Sequence, residues 1–261
     1  MKQLQSYGLI GYPLSHSFSK KYFTEKFEKE NLKDHEYNLF PIEQIEQFPE
    51  LIKKHTSLKG LNVTIPYKES VIPFLDELNE TAKEIGAVNC IKIENDKETE
   101  SGKRLIGYNT DAFGFRQSIK PFLETQHEKA LILGTGGASK AVHYVLKTIG
   151  IDCYFVTRTK IIDNQLITKN EFSYEELNEY VISAFKLIVN TTPLGTYPQV
   201  AEAPNIPYEF LTPAHLLYDL VYNPAETEFL KRGKKMGAST INGLSMLHQQ
   251  AEEAWRIWNQ L

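Results

Sequence analysis

Residues 129–160, KALILGTGGASKAVHYVLKTIGIDCYFVTRTK, give the clearest indication of the fold of this chain. An apolar run passes through a glycine turn into an amphipathic segment, Gly150 follows that segment, and a second apolar run comes next. Short apolar runs on either side of a longer periodic segment are typical of a strand, a helix and a strand. The stretch therefore predicts a βαβ unit, which has parallel strands.

The glycine turn has the pattern of a dinucleotide-binding site. Gly134 suits a tight turn, Gly136 allows close approach of the backbone to a pyrophosphate, Gly137 is a further cofactor-binding candidate of the turn, and the small residues Ala138 and Ser139 favour close helix packing. The helix N-terminus would then face the phosphates. Such a turn also occurs where a strand and a helix simply pack tightly, but its position between the two favours a nucleotide site.

The end of the second strand bears on the type of nucleotide. Enzymes that use NAD usually place Asp or Glu there, about twenty residues after the glycines, to bind the ribose 2′-hydroxyl. This chain has Thr157, Arg158, Thr159 and Lys160, and the first carboxylate is Asp163. Arginine can grip a 2′-phosphate with two hydrogen bonds. A solvated basic turn would look the same, but together with the glycines the residues favour NADP.

Outward from this unit, strand-like and helix-like segments alternate, which predicts an α/β fold with largely parallel sheets in two systems. The first system has strands in SYGLIG, at 36–40, in LNVTIPYKE and in a hairpin of AVNCIKIE and RLIGY, with helices at 18–31 and 42–54. The second adds strands in KLIVN and LLYDLVY and helices at 174–183 and 225–236.

The last helix carries apolar residues at intervals of three and four, which predicts one buried face. These residues are Leu244, Leu247, Ala251, Ala254, Trp258 and Leu261. The face either packs on its own domain or forms a dimer seam.

Residues 61–69, LNVTIPYKE, alternate apolar and polar side chains as far as Ile65, which predicts a half-buried strand that ends at a proline. Asn62 and Thr64 would share its polar face, with Lys68 just beyond. A nicotinamide cofactor implies hydride transfer, and the alkoxide formed from a carbonyl needs a proton donor. Lys68 could be that donor, although most lysines are only surface residues.

Composition limits the possible partners. The chain has 261 residues, 41% of them apolar, and a net charge of −4. No basic stripe, signal peptide or membrane-length apolar run is present, so we expect a cytoplasmic protein with a small-molecule partner, and neither nucleic acid nor membrane. The spacing of histidines and cysteines predicts no metal, and Cys90 and Cys153 read as buried thiols.

Several segments together are similar to the shikimate dehydrogenase family from Gly8 to the last helix. They are GYPLSHSFS, LNVTIPYKE, GAVNCI, GYNTDAFGF, GTGGASKAV, NTTPLG, YDLVYNP and NGLSMLHQQA. The resemblance implies reversible reduction of 3-dehydroshikimate to shikimate with NADPH, in a monomer or homodimer. It also implies a substrate domain at 1–108 and 244–261, to which the last helix returns, and a Rossmann-like domain at 109–243.

The resemblance also implies roles for particular residues. Lys68 and Asp111 would be the catalytic pair, although Asp111 in NTD also resembles a helix cap. Substrate would be bound by Ser17, Ser19, Thr64, Lys68, Asn89, Asp111, Tyr222 and Gln250. Besides the residues of the glycine turn and of 157–160, the cofactor would be approached by Asn190, Thr191, Gly243 and Met246.

The chain departs from the family pattern at three places, and two other functions stay open. Lys20 replaces a common proline, Thr157 replaces a usual asparagine, and Ile161 and Ile162 stand where a further basic residue is often found. One alternative is a quinate-using relative that accepts both NAD and NADP. The other is a nucleotide sensor without turnover.

Overall fold

The structure, a computed structural model, describes residues 4–14, 17–99, 102–158 and 170–260. The chain divides into two compact units, the first comprising Met1–Thr110 with Ala251–Leu261 and the second Asp111–Gln250. Within the described ranges, each unit contains one six-stranded sheet. The predicted α/β class is confirmed, whereas the exact functional boundaries stay a prediction.

The first unit is built on a mixed sheet in the order β2-β1-β3-β5-β6-β4. Its strands are β1 (Gln5–Gly11), β2 (His35–Pro41), β3 (Leu58–Val63), β4 (Glu77–Leu78), β5 (Cys90–Asn95) and β6 (Lys103–Tyr108). Its helices are α1 (Phe18–Lys29), α2 (Phe48–Lys54) and α3 (Glu80–Ile85). β1 pairs with β2 and β3 in parallel, whereas β5 pairs antiparallel with β3 and β6. The predicted hairpin is therefore confirmed.

Strand β3 differs from its sequence prediction. Asn62 is only 5% exposed and Ile65 is 73% exposed, the reverse of a half-buried strand with an apolar buried face. The reason is that β3 lies between β1 and β5, with core side chains on both of its faces, and the strand ends at Val63, before Thr64. An interior strand has no solvated face, so alternation does not decide which residues are buried.

The second unit is a parallel sheet in the order β12-β11-β10-β7-β8-β9. Its strands are β7 (Lys129–Leu133), β8 (Asp152–Thr157), β9 (Glu171–Ser173), β10 (Leu187–Asn190), β11 (Leu216–Asp219) and β12 (Ser239–Ile241). The remaining helices are α4 (Thr110–Ile119), α5 (Gly137–Thr148), α6 (Glu179–Ala184), α7 (Glu228–Lys235) and α8 (Leu244–Trp258). β7, α5 and β8 form the predicted βαβ unit, and the strand order reverses between β7 and β10.

Two helices, α6 and α7, begin later in the sequence than predicted, because a polar side chain caps the helix N-terminus at that later position. Thr227 caps α7 by accepting the N–H of Leu230, and Asn178 caps α6 by accepting the N–H of Val181. Residues 45–47, ahead of α2, and 174–176 form single 3₁₀ turns instead of α-helix. The short strands β4, β9 and β12 were not predicted from sequence, because two or three residues carry too little periodicity.

Helix α8 contributes to both units, with residues 244–250 in the second and 251–258 in the first. Ala251, Ala254 and Trp258 are buried in an aromatic cluster of the first unit, as predicted. Leu244 is 41% exposed, so its assignment to the buried stripe is wrong; in the first turn of α8 the buried apolar side chain is that of Met246, which is 7% exposed. Leu261 lies outside the described residues.

Cys90 and Cys153, both among the described residues, are buried thiols rather than disulfide partners, as predicted. Among the helices that the structure describes, none is long and apolar enough to cross a membrane.

Candidate active site

Lys68 lies in a loop that backbone hydrogen bonds hold in place after β3. The Thr64 N–H donates to the Ile10 carbonyl at 3.0 Å and the Tyr67 N–H to the Thr64 carbonyl at 2.9 Å. The Val88 N–H then donates to the Lys68 carbonyl at 2.7 Å. Lys68 is partly buried, and its backbone is fixed beside the segment that leads into β5.

Asn89, next to Val88, joins this loop to the start of α4. Its Oδ1 accepts the Thr110 N–H at 2.6 Å, and its Nδ2 donates to the Thr110 hydroxyl at 3.0 Å. The first N–H of a helix has no partner within the helix, so Asn89 supplies one from another element. The loop of Lys68 is thus bonded to Val88, and the start of α4 is bonded to the next residue, Asn89.

The two serines lie at the N-terminus of α1. Ser17 is the N-cap, and its Oγ accepts the N–H of Lys20 at 3.3 Å. The proline that is common in the resembled family at the position of Lys20 could not make this bond, since proline has no N–H. Ser19 follows in the first turn, where no acidic side chain is present among these described residues. A helix N-terminus without a carboxylate favours an anionic ligand.

Tyr37 and Asn62 support this region and were not predicted as site residues. The Tyr37 hydroxyl donates to Asn62 Oδ1 at 2.8 Å, and Asn62 Nδ2 donates to the Asn89 carbonyl at 3.4 Å. Burial raises the pKa of Tyr37 well above its ordinary value, while a hydrogen bond with Ser19 lowers it in part. Tyrosine in a strand reads as an ordinary core residue, so no sequence signal pointed to it.

Asp111 and Gln250 come from α4 and α8, which cross closely within the second unit. A Cβ on Gly114 would lie 2.5 Å from the Met246 carbonyl oxygen and 3.0 Å from the Gln250 nitrogen. The glycine therefore lets the two backbones touch. Asp111 is 8% exposed one turn before Gly114, and Gln250 is also 8% exposed.

The glycine turn forms an open cradle at the start of α5. Gly134 has φ +103°, a conformation that favours glycine, and a Cβ there would lie 3.0 Å from Thr191 Oγ1. Gly136 is the N-cap of α5 and has no side chain to bond the first N–H groups. A Cβ built on Gly136 would meet no atom of the described residues within 4 Å. The helix N-terminus can therefore be reached by a phosphate.

At the end of β8, Arg158 is exposed and Thr157 is 7% exposed. The Thr157 hydroxyl donates to a carboxylate oxygen of Glu171, which comes from the neighbouring strand β9. A carboxylate is thus present at this strand end, although it is absent from the local sequence. Thr159 and Lys160, with Ile161, Ile162 and Asp163, lie outside the described residues.

Three further predicted residues lie near the ends of β10 and β11: Asn190 is the last residue of β10, and Thr191 and Tyr222 belong to the loops that follow these strands. Asn190 is fully buried and bonded to Asp219 and Thr192, and the Thr191 hydroxyl donates to the Leu133 carbonyl at 2.6 Å. Tyr222 follows β11, and burial raises the pKa of its phenol.

Gly243 lies against the loop after β11, and Met246 is 7% exposed in α8. A Cβ on Gly243 would lie 2.1 Å from the Leu220 carbonyl oxygen, so only glycine fits there. This close contact fixes the position of Gly243 against the loop after β11.

A parallel sheet with reversed strand order, and an uncapped helix N-terminus after a glycine turn at the reversal, define a dinucleotide-binding protein. With a separate α/β unit that carries buried polar groups, the class is that of two-domain dehydrogenases.

The comparisons agree with this class. The family model for the shikimate dehydrogenase substrate binding domain matches residues 9–91. The NADP(+)-dependent shikimate dehydrogenase of Carboxydothermus hydrogenoformans is 42% identical, over 96% of this chain and 90% of that protein.

Two crystal structures extend the match to the whole fold. Shikimate dehydrogenase from Aquifex aeolicus has a TM-score of 0.84 at 37% identity, covering 98% of this chain and 92% of that one. The Thermus thermophilus enzyme in complex with NADP(H) and shikimate has a TM-score of 0.80 at 28% identity, covering 99% and 94%. The chain belongs to the shikimate dehydrogenase family, as its motifs predicted.

Proposed function

We propose that the protein catalyses the reversible NADP-dependent reduction of 3-dehydroshikimate to shikimate. The observation that carries this proposal is the 42% identity to an NADP-dependent shikimate dehydrogenase over 96% of the chain. The uncapped α5 N-terminus and the buried polar groups of the first unit support it. The reaction supplies a precursor for aromatic amino acid biosynthesis.

The residues present fit NADP. The glycine turn leaves the N-terminus of α5 open to a pyrophosphate, and Arg158 is exposed at the strand end where a 2′-phosphate would bind. Bound NADP supplies or accepts the hydride. Thr191, Gly243 and Met246 would lie along the rest of the cofactor, while Asn190 is buried beneath its loop.

The first unit would supply most of the substrate contacts. The hydroxyl groups of Ser17 and Ser19 would donate hydrogen bonds to the substrate carboxylate. The positive end of the α1 dipole would favour this negative charge. Each neutral hydrogen bond contributes only about 0.5–1.5 kcal/mol, so Tyr222 would be needed as a further donor. Thr64, Asn89 and Gln250 would bind the ring hydroxyls.

Lys68 would hold and deliver the proton at the reacting oxygen. In reduction, its ammonium group would donate to the developing alkoxide, and Asp111 would orient the group and share the proton. In the reverse direction, the neutral amine would accept the hydroxyl proton. The backbone bond from Val88 fixes the loop from which Lys68 would act.

Substituting Lys68→Ala tests the proton route. We expect turnover of shikimate to fall by about 10² to 10⁴, or roughly 3–5 kcal/mol of barrier, because a general acid is lost. NADP affinity should change less than about twofold, since no cofactor contact is removed. Lys83→Ala, at an exposed position on α3 of the same unit, is the control. Near-native turnover in Lys68→Ala would contradict the assignment.

Assays with shikimate and quinate, each with NADP and NAD, test the substrate and the cofactor. We expect shikimate with NADP to have the highest kcat/KM. A preference for quinate, or no turnover of either acid, would favour one of the alternative functions.

A further inference from the structure

A buried carboxylate that the proposed chemistry does not use lies at the end of β11. Asp219 is 0% exposed and accepts three hydrogen bonds from other groups. The donors are Asn190 Nδ2 at 2.9 Å, the Val221 N–H at 3.0 Å and the Thr227 hydroxyl at 2.6 Å. Burial raises the pKa of Asp219 to about 6, although the three donors oppose this shift.

Asn190 extends the network to the loop after β10. Its Oδ1 accepts the Thr192 N–H at 3.0 Å and the Thr192 hydroxyl at 2.6 Å. Asn190 is also 0% exposed, so water does not compete for these bonds. One carboxylate therefore joins the loop after β10, the loop after β11 and the start of α7.

The order of strands shows which part of a dinucleotide these loops would meet. The turn after β7 and the end of β8 lie where the pyrophosphate and the adenosine bind. β10 and β11 lie on the other side of β7, so the nicotinamide half would extend over their loops.

Gly243 couples a further segment to the same network. Its N–H donates to the Val221 carbonyl at 3.1 Å, and its Cα lies against the Leu220 carbonyl. Movement of the loop after β11 would therefore displace both Gly243 and Tyr222.

We propose that Asp219 is a positioning residue for the nicotinamide half of NADP, since its carboxylate holds the loops after β10 and β11 in one arrangement. The inference depends on the proposed NADP binding by the second unit. Asp219 touches neither substrate nor cofactor, because it is fully buried beneath the loops.

The variant Asp219→Asn keeps the size of the side chain but replaces one acceptor oxygen with a donor. A carboxylate accepts from all three donors, whereas the amide can accept only at its single oxygen. Two probes distinguish binding of the adenosine half from binding of the whole cofactor. 2′,5′-ADP contains only the adenosine half, and NADP contains both halves. Isothermal titration calorimetry measures both affinities without turnover.

We expect Asp219→Asn to bind NADP about tenfold more weakly and 2′,5′-ADP within about twofold of wild type. Thr192→Val, which removes one hydroxyl of the network, should give a smaller loss of the same kind. Tyr218→Phe is the control, because it removes a buried hydrogen bond of 2.6 Å to Ser118 from the residue preceding Asp219. Both affinities should be unchanged in that variant.

Equal losses for NADP and 2′,5′-ADP would overturn the inference, because they would indicate general damage to the unit. Wild-type affinity for NADP in both network variants would also overturn it. If Asp219→Asn does not fold, Thr192→Val decides between the same outcomes. A wild-type protein that binds neither probe would instead overturn the proposed function.

Discussion

Single polar side chains buried at the ends of strands set much of the candidate site. Asn62 and Asn89 form hydrogen bonds with backbone groups of neighbouring elements. Asp219 accepts hydrogen bonds from three different segments. A buried polar group without a partner is costly, so each of these residues restricts where its partners can lie. Arg158 differs from them because it is exposed.

Arg158→Ala should weaken NADP binding by about 10- to 100-fold and leave NAD binding nearly unchanged. The reason is that a charge-assisted hydrogen bond to the 2′-phosphate contributes about 1.5–3 kcal/mol, and NAD lacks that phosphate. Calorimetry with both cofactors measures the difference. Lys231→Ala removes an equal charge from an exposed position of the same unit and should alter neither affinity. Equal weakening for NAD and NADP in Arg158→Ala would refute the 2′-phosphate assignment.

Asp219 also predicts a pH dependence of stability. Its pKa is about 6 in the folded protein and 3.8 as the ordinary value, so the folded state binds more protons in between. The free energy of unfolding should therefore fall as pH rises from about 4 to about 6, by up to about 3 kcal/mol from this group. Urea unfolding across this range should show a steeper fall in the wild type than in Asp219→Asn. Parallel curves would contradict the prediction.

Among the helices and strands, the crossing of α4 and α8 shows how one glycine sets the distance between two elements. Without a side chain at Gly114, the α4 backbone reaches the Met246 carbonyl and the Gln250 nitrogen. Asp111 precedes this contact by one helical turn and Gln250 is part of it. The distance between the helices therefore controls two proposed site residues.

Gly114→Ala should destabilise the protein by about 1–3 kcal/mol, because the added methyl group overlaps backbone that cannot move cheaply. This loss would occur although alanine is intrinsically the better helix former by about 1 kcal/mol. The KM for shikimate should rise as α4 and α8 separate. Thermal unfolding and steady-state kinetics measure the two effects, with Gln117→Ala, at an exposed position of α4, as the control. An unchanged KM would show that the crossing does not set the site.

For the whole molecule, the end of the chain completes the core of the first unit. Trp258 is 6% exposed, donates its Nε1–H to the Ile91 carbonyl at 3.0 Å and stacks on Tyr7 at 5.0 Å. It also occupies the space beside Gly60, where a Cβ would lie 2.3 Å from the indole ring. The core of the first unit therefore includes Trp258, which comes after the second unit in the sequence.

Trp258→Ala should cost about 3–5 kcal/mol of stability, because it leaves a large cavity in the aromatic cluster. Trp258→Phe, which keeps an aromatic ring but loses the hydrogen bond, should cost less. Binding of 2′,5′-ADP should be retained in both variants, since the cluster belongs to the first unit. Denaturant unfolding and calorimetry measure these effects. A parallel loss of nucleotide binding would show that the two units do not fold independently.

The βαβ unit, the uncapped start of α5, the hairpin of β5 and β6, and the buried cysteines could all be predicted from the sequence. Each depends on residues close together in the chain, such as apolar periodicity or a glycine next to a strand. The family motifs extended the prediction to Lys68 and Asp111, whose catalytic roles stay predictions. The short strands β4, β9 and β12 could not be predicted, because their pairing depends on partners elsewhere in the chain.

Neighbouring residues encode the alternation of strands and helices and the position of the nucleotide turn, so these features can be read from the amino-acid sequence. The burial of Asn62, the bond between Thr157 and Glu171, and the bonds of Asn190 and Thr227 to Asp219 depend on the folded chain. Their partners are 8 to 29 residues apart, and the folded chain alone brings them within hydrogen-bond distance. Burial then strengthens these contacts, since water no longer competes for the same donors and acceptors.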